Sequence, residues 1–319
     1  MSELLLAGWR YRTLVISIIA AMLGYLAFSI WGGWQDVWRA LEKVGLLGLL
    51  LALMMSLLNY GLRFARWQVY LAAMGHRVPW RPSARIYVAG FALTTTPGKA
   101  GEVLRGVLLK RYRVPYPDSF AAFISERLSD LAAIVLLTLF GLWLYPQTQT
   151  LIFIGAAVVL AGLLVLSQQR LLDWLHQWSA DARAWFWRAF HHAVQMLRQA
   201  RRCHSPGRLL LATLLSVVGW AAEALAFMWI LQWMGQDVGF AFAAFVFAVA
   251  MLAGALSFMP GGLGGTEAVM LTLLVFKGMP TPDAIAATVL IRLTTLWFAV
   301  VLGLFALSAS RREEGTDGQ

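Results

Sequence analysis

The chain has 319 residues, of which 60% are hydrophobic and 13% charged, against about 25% charged in a soluble domain; with a mean hydropathy of +0.69 this excludes a soluble globular protein. The net charge of +10 would suit a nucleic-acid partner, but the lysines and arginines fall in loops between apolar runs and no nucleic-acid motif is present, so no nucleic acid is expected. A single cysteine, Cys203, excludes an intramolecular disulfide, and the five histidines stand at no metal-ligand spacing, so no metal or other cofactor is expected.

A spanning helix needs about 20 apolar residues. The N-terminus carries Glu3 and no small-residue cleavage site, and the run after it is too long for a signal segment, so Thr13–Ile30 is expected as a retained first crossing. Trp31–Val44 reads as a polar, tryptophan-rich connector and Leu46–Leu62 as the second crossing. Arg63 to Arg85, with five arginines, reads as a cytoplasmic loop. Ile86–Thr96 is too short to cross and stops at Pro97-Gly98, after which Gly101–Leu109 leads to Lys110-Arg111-Tyr112-Arg113. This predicts a re-entrant hairpin, whose irregular tip is tolerated only where protein or a cavity surrounds it.

Asp118–Tyr145 and Leu151–Leu166 are the next crossings. Residues 170–208 are basic and amphipathic, which fits a segment lying in the cytoplasmic headgroup region. Leu209–Met234 crosses, Phe240–Lys277 forms a second hairpin broken at Met259–Gly265, and Asp283–Ser308 is the sixth crossing. With the N-terminus in the cytoplasm, the outer loops hold only Arg39, Lys43 and Lys277. Four cations (Lys99, Arg105, Arg127, Arg292) are embedded and the other 19 are cytoplasmic. That imbalance predicts a multi-pass protein of the cytoplasmic (inner) membrane with both termini inside.

Residues 97–128 match residues 260–293. Pro97-Gly98 and Gly101 fall on Pro260-Gly261 and Gly264. Then, at an offset of 165, Glu102 falls on Glu267, Pro117-Asp118 on Pro282-Asp283 and Arg127-Leu128 on Arg292-Leu293. Three crossings separate the hairpins, so they enter from opposite faces and the repeat has inverted topology, as in many secondary transporters. The predicted fold is an all-α polytopic membrane protein, with six spanning helices and two re-entrant helical hairpins in one domain, 1–319. Repeat A covers about 84–145 and repeat B about 240–308.

Each Pro-Gly break starts a helix near mid-membrane, and helix N-termini favour anions; the other reading is a packing kink. Arg127 and Arg292 each lie ten residues after a Pro-Asp, about 15 Å into the membrane at 1.5 Å per residue. A cation there should face a cavity, a partner or a ligand. Arg127 has Glu126 and Asp130 on its own helix, which fits a structural ion pair. Arg292 has no acid nearby on its own helix and must find Glu267, Glu102, Glu223 or a ligand, which makes it the stronger candidate for a lipid phosphate. Glu102 and Glu267 read either as N-terminal caps or as proton-relay acids, and Glu223, within an apolar helix, is a further relay candidate. Thr94, Thr95, Thr96 and Thr266 read as groups that satisfy free backbone atoms at the breaks. No nucleophile–histidine–acid set, Walker A or GxSxG motif occurs, so an enzyme is not expected.

The run Thr96–Arg105, with Ser125–Asp130, and the run Pro260–Glu267, with Arg292-Leu293, resemble the lysylphosphatidylglycerol-synthase-type transmembrane family over nearly the whole chain. That family includes the flippase domain of the multiple peptide resistance factor and stand-alone relatives found near hopanoid, glycolipid and dolichol-linked-sugar genes. The resemblance implies a lipid translocase with two hairpins meeting centrally. The membrane lipid would be an anionic phospholipid, a hopanoid or a polyprenyl-phosphate-linked substrate; a homodimer is compatible with it. It points to Pro97, Gly98, Gly101, Glu102, Arg105, Arg127, Pro260, Gly261, Gly264, Glu267 and Arg292 as substrate-binding residues, and to Glu126 and Asp130 beside them. The chain ends at Gln319 soon after the last crossing, so aminoacyl transfer to lipid is not expected. A non-transporting scaffold for a lipid-modifying enzyme is the alternative, and a membrane-embedded transferase a third.

Overall fold

The computed structural model describes residues 33–96, 100–143, 201–203, 205–257 and 259–316, with single positions at 16, 24, 150, 154, 157, 173, 174, 177, 178 and 194. The expected crossings Thr13–Ile30 and Leu151–Leu166, the break residues Pro97 and Gly98, and most of the amphipathic segment 170–208 lie outside the described residues.

The described residues are helical. Helix α1, Trp34–Ala73, runs for 40 residues with a kink at Gly45, whose φ of 67° is open to glycine at no steric cost. Its buried residues Ala52, Ser56, Asn59, Tyr60, Trp67 and Tyr70 recur at helical spacing. The opposite side exposes Leu46, Leu47, Leu50, Met54, Leu57 and Leu58. Small and polar residues thus face the protein while leucines face outward, the polarity of a helix solvated by lipid rather than water. The expected connector at 31–44 and the expected cytoplasmic loop from Arg63 need correction. No proline or glycine interrupts the helix between Leu62 and Met74, so α1 carries Arg63 and Arg66 inward, and Arg66 is fully buried. Two arginines counted as cytoplasmic therefore belong to the interior.

Helix α2, Trp80–Ala89, tightens into a 3-10 turn at Gly90–Leu93. Helix α3, Ala100–Leu109, returns from the tip, so Gly101 lies inside a helix rather than at the break. A Cβ on Gly101 would collide with the carbonyl oxygen of Gly90, so the two arms touch backbone to backbone there. Helix α4, Tyr116–Leu142, is long enough to span and starts after Pro115. Helix α5, Pro206–Trp233, is followed by the second hairpin: α6, Phe240–Leu256, a tip at Pro260–Gly262, and α7, Gly265–Phe276. Helix α8, Thr281–Arg292, passes through a π-helical turn at Leu293–Trp297 into α9, Phe298–Thr316. Among the described residues three stretches, Trp34–Ala73, Gly207–Trp233 and Thr281–Ser308, are long and apolar enough to cross a membrane.

The internal repeat reaches further back than the hairpins. At an offset of 160, Ser56 matches Ser216, Leu71 matches Leu231, Met74-Gly75 matches Met234-Gly235 and Val78 matches Val238. The conformation follows. His76 N–H donates to Leu71 O at 2.9 Å and Gln236 N–H to Leu231 O at 3.0 Å, the same C-terminal cap around a left-handed glycine. The hairpins also end alike, with Val114 N–H on Leu109 O and Met279 N–H on Leu274 O. Helices α1 and α5 pack along each other. Gly48 lies under the Trp233 ring, Asn59 against Gly219, and Arg66 donates to Ser216. Partner numbers fall as the α1 number rises, so the two run antiparallel. Asn59 and Gly219 are themselves equivalent positions, so equivalent residues face each other across this contact.

Candidate functional site

Repeat A holds a buried charge network built on α4. Helical spacing puts Glu126 and Asp130 one turn apart on the face turned toward α1 and the first hairpin. Glu126 meets Arg105 Nη1 at 3.2 Å and Arg66 Nη2 at 3.8 Å, and accepts from the Tyr87 hydroxyl at 3.0 Å. Asp130 meets Arg66 Nη1 at 2.7 Å, Arg127 Nη2 at 3.2 Å and Arg63 Nη2 at 3.6 Å, and accepts from the Trp220 indole at 3.1 Å. Four guanidinium groups thus surround two carboxylates.

The four arginines differ in setting. Arg105 is clamped: it donates through Nε to Tyr87 O and lies over the Tyr87 ring at 4.0 Å, with Trp67 and Phe91 alongside. Gly90 makes room, since a Cβ there would strike Arg105 Nε. Arg66 has no exposure, and its Nε and Nη2 lack a hydrogen-bond partner of good geometry. Arg63 lies over the Trp220 ring at 5.8 Å. Arg127 is the open member, with 39% of its side chain exposed and its guanidinium over Phe123 at 5.4 Å.

Repeat B holds one tight pair. Glu267 Oε2 accepts from the Gly264 N–H at 2.7 Å, capping α7, while Oε1 accepts from Arg292 Nε at 2.7 Å. Arg292 Nη2 donates to Gly261 O at 2.7 Å. Glu267 therefore caps a helix and pairs a cation at once, and of the four partners open to Arg292 the one it meets is Glu267. Arg292 is only 2% exposed, so the accessibility of the repeat mates is unequal: Arg127 is open and Arg292 closed. The π-helical turn begins one residue later, a device often found at functional sites. The Tyr60 hydroxyl donates to the Thr295 carbonyl within that turn.

The end of the first hairpin's leading arm meets the second tip. A Cβ on Gly261 would lie 3.3 Å from Thr95 Cγ2 and 3.6 Å from the Leu296 methyls. Left-handed φ values at Gly261, Gly262 and Gly264 shape the repeat B tip. Thr94 and Thr96 donate to Phe91 O and Leu93 O, the backbone-satisfying role expected of them. Thr95 and Thr266 do not: their hydroxyls are buried without a partner. Glu102 is half-buried in the first turn of α3, with no ion pair to a described residue, and Glu223 is buried on α5. Pro260 lies in the second tip, and Pro97 and Gly98 are outside the described residues.

Sequence reasoning missed Arg63, Arg66 and Tyr87. The signal was the aromatic period Tyr60, Phe64, Trp67, Tyr70, which continues helix α1 past the charges and marks a face that packs. Among the described residues no group of three or more histidine, cysteine, aspartate or glutamate side chains could hold a metal ion.

Comparison with known proteins places the chain in a family of membrane proteins. Residues 13–303 match the family described as the lysylphosphatidylglycerol synthase TM region, and the chain belongs to that family. A UPF0104 membrane protein of Methanothermobacter thermautotrophicus is 25% identical over 92% of this chain and 94% of its own. A UPF0104 membrane protein of Pyrococcus horikoshii is 22% identical over 95% and 98%, and one of Methanocaldococcus jannaschii 21% identical over 93% and 95%. The chain is a membrane protein of a lipid-related family, and its regular structure among the described residues is helical.

Proposed function

We propose that this chain moves an anionic lipid, either a phospholipid or a polyprenyl-phosphate-linked intermediate, between the leaflets of the cytoplasmic membrane, without catalysing a covalent step. The observation that carries the proposal is the charge excess of repeat A: four buried or half-buried guanidiniums against two carboxylates, with Arg127 at the open edge. Intramembrane cations in excess of their partners mark substrate pathways. Guanidinium suits phosphate because its fork binds two oxygens.

Antiparallel α1 and α5, equivalent in sequence and each followed by a hairpin and a helix, support an inverted-topology repeat. Transporters of that build hold substrate at the repeat interface near the midplane and alternate between two mirror arrangements. In the arrangement described here Arg127 is open while Arg292 is sealed by Glu267. The opposite arrangement would free Arg292 for the headgroup and close Arg127. The buried, unpartnered hydroxyls of Thr95 and Thr266 at the two hairpin tips add hydrogen-bonding capacity on that route.

The test is transbilayer movement of tail-labelled NBD-phosphatidylglycerol in vesicles carrying the purified chain, read by dithionite quenching. Arg127→Ala and Arg292→Ala should each abolish movement while leaving the protein folded. Arg127→Lys and Arg292→Lys should restore part of it, because lysine keeps charge but not the fork. Unchanged movement in both folded alanine variants would remove the headgroup route. A wild-type chain that moves no labelled lipid would favour a scaffold instead.

A further inference from the structure

Four acids are buried among the described residues: Glu126, Asp130, Glu223 and Glu267. Three of them are held by arginine at 2.7–3.2 Å. Glu223 is the exception, with no lysine or arginine among the described residues within ion-pair distance. It is only 4% exposed. It stands one turn beyond Gly219, at the centre of the antiparallel α1–α5 contact, where a Cβ on Gly219 would lie 3.0 Å from the Asn59 amide oxygen.

The groups that face it are few. Asn59 stands beside it on α1, with the Tyr60 hydroxyl near; Arg63 on α1, Arg292 on α8 and Asp130 on α4 act on it from further off. Helix α6, packed on the same helix through Phe247 against Trp220 and Phe227, has no ionisable side chain. The two cations nearest in effect belong to the two different networks. By the repeat, Glu223 also occupies the position of Arg63 in the other half, at the offset of 160. An ionised carboxylate buried without a counter-charge costs several kcal/mol, so this one must be neutralised by a proton or by an arriving guanidinium.

We propose that Glu223 is the proton-carrying site that couples the two halves: it holds a proton in the arrangement described here, and releases it when rearrangement brings Arg63 or Arg292 within ion-pair distance. The chemistry is one O–H bond made and broken. A proton from water on one side is taken by a carboxylate oxygen and returned to water on the other, with no electron transfer and no further reactant. The coupling role rests on the translocation proposed above; the proton site does not.

Two measurements keep these apart. In infrared difference spectra of the wild-type chain across a pH titration, a protonated carboxyl stretch should appear and disappear. It should vanish in Glu223→Gln and shift in frequency in Glu223→Asp. In vesicles, an imposed pH gradient should accelerate wild-type movement of NBD-phosphatidylglycerol, and Glu223→Gln should lose that acceleration. A wild-type chain without a titrating carboxyl band, or a band that survives in Glu223→Gln, overturns the proton site. An acceleration that survives in folded Glu223→Gln overturns the coupling. A wild-type chain that shows the Glu223 band yet moves no lipid upholds the proton site and defeats the translocation reading instead.

Discussion

Asp130 is the residue on which the repeat A network depends most. It takes contacts from three arginines and the Trp220 indole, and it is almost fully buried. Asp130→Asn keeps the shape and removes the charge, leaving Arg63, Arg66 and Arg127 to repel one another in a low-dielectric setting. Removing one partner of a buried pair costs about 3–5 kcal/mol, so the unfolding transition in detergent should fall clearly. Arg127→Ala should cost under about 1 kcal/mol, the range of partly exposed pairs, because Asp130 retains two other arginines. Equal losses would mean that Arg127 holds the network together as much as Asp130 does. The embedded acids and Arg105, Arg127 and Arg292 were legible in the sequence because charge inside an apolar run stands out. Arg63 and Arg66 were not, because they sit where an apolar run ends and charges normally mark the loop. The aromatic spacing of Tyr60, Phe64, Trp67 and Tyr70 is the sequence mark that the helix continues, and the burial of Trp67 and Tyr70 shows that it continues inward.

At the scale of elements, the hairpins depend on close backbone approach. The first hairpin closes where Gly101 meets the Gly90 carbonyl, and the second where Gly254 meets Thr266 and the Gly262 backbone. Gly101→Ala should therefore force the arms apart and destabilise by about 1–3 kcal/mol, the usual cost of overpacking. Gly61→Ala is the control: nothing lies within 4 Å of a Cβ there, and alanine in a helix gains roughly 0.5–1 kcal/mol over glycine. The unfolding midpoints of the two variants should move in opposite directions; a neutral Gly101→Ala would show that the arms do not touch. The second break was readable, since Pro260-Gly261 interrupts an apolar run as a turn must. The π-helical turn after Arg292 was not, because Leu293–Trp297 has ordinary helix-compatible residues. Its widened turn is stabilised by Tyr60 from a distant helix, and no local sequence signal carries that contact.

At the scale of the whole molecule, the issue is whether the two halves face opposite sides of the membrane. The inverted repeat proposed above requires it, and the sequence repeat at offsets of 160 and 165 with the antiparallel α1–α5 contact supports that proposal. A twofold axis relating antiparallel partners must lie across the helices, hence in the membrane plane. On that proposal the turns at Lys110–Tyr112 and Lys277 would end the two hairpins on opposite faces, and both lysines are exposed. Cysteines placed there can be labelled against a quiet background. Cys203 is buried, and burial pushes its thiol up to about 11, so little thiolate exists at neutral pH to react. In intact cells a membrane-impermeant maleimide should label Lys277→Cys without prior permeabilisation and Lys110→Cys only after it, if the orientation is the one the positive-inside rule predicts. Reversed labelling would flip the orientation yet keep the inverted repeat. Labelling of both from one side would remove the inverted repeat, and with it the exchange of roles between Arg127 and Arg292, while leaving the buried pairs to be explained as structure alone.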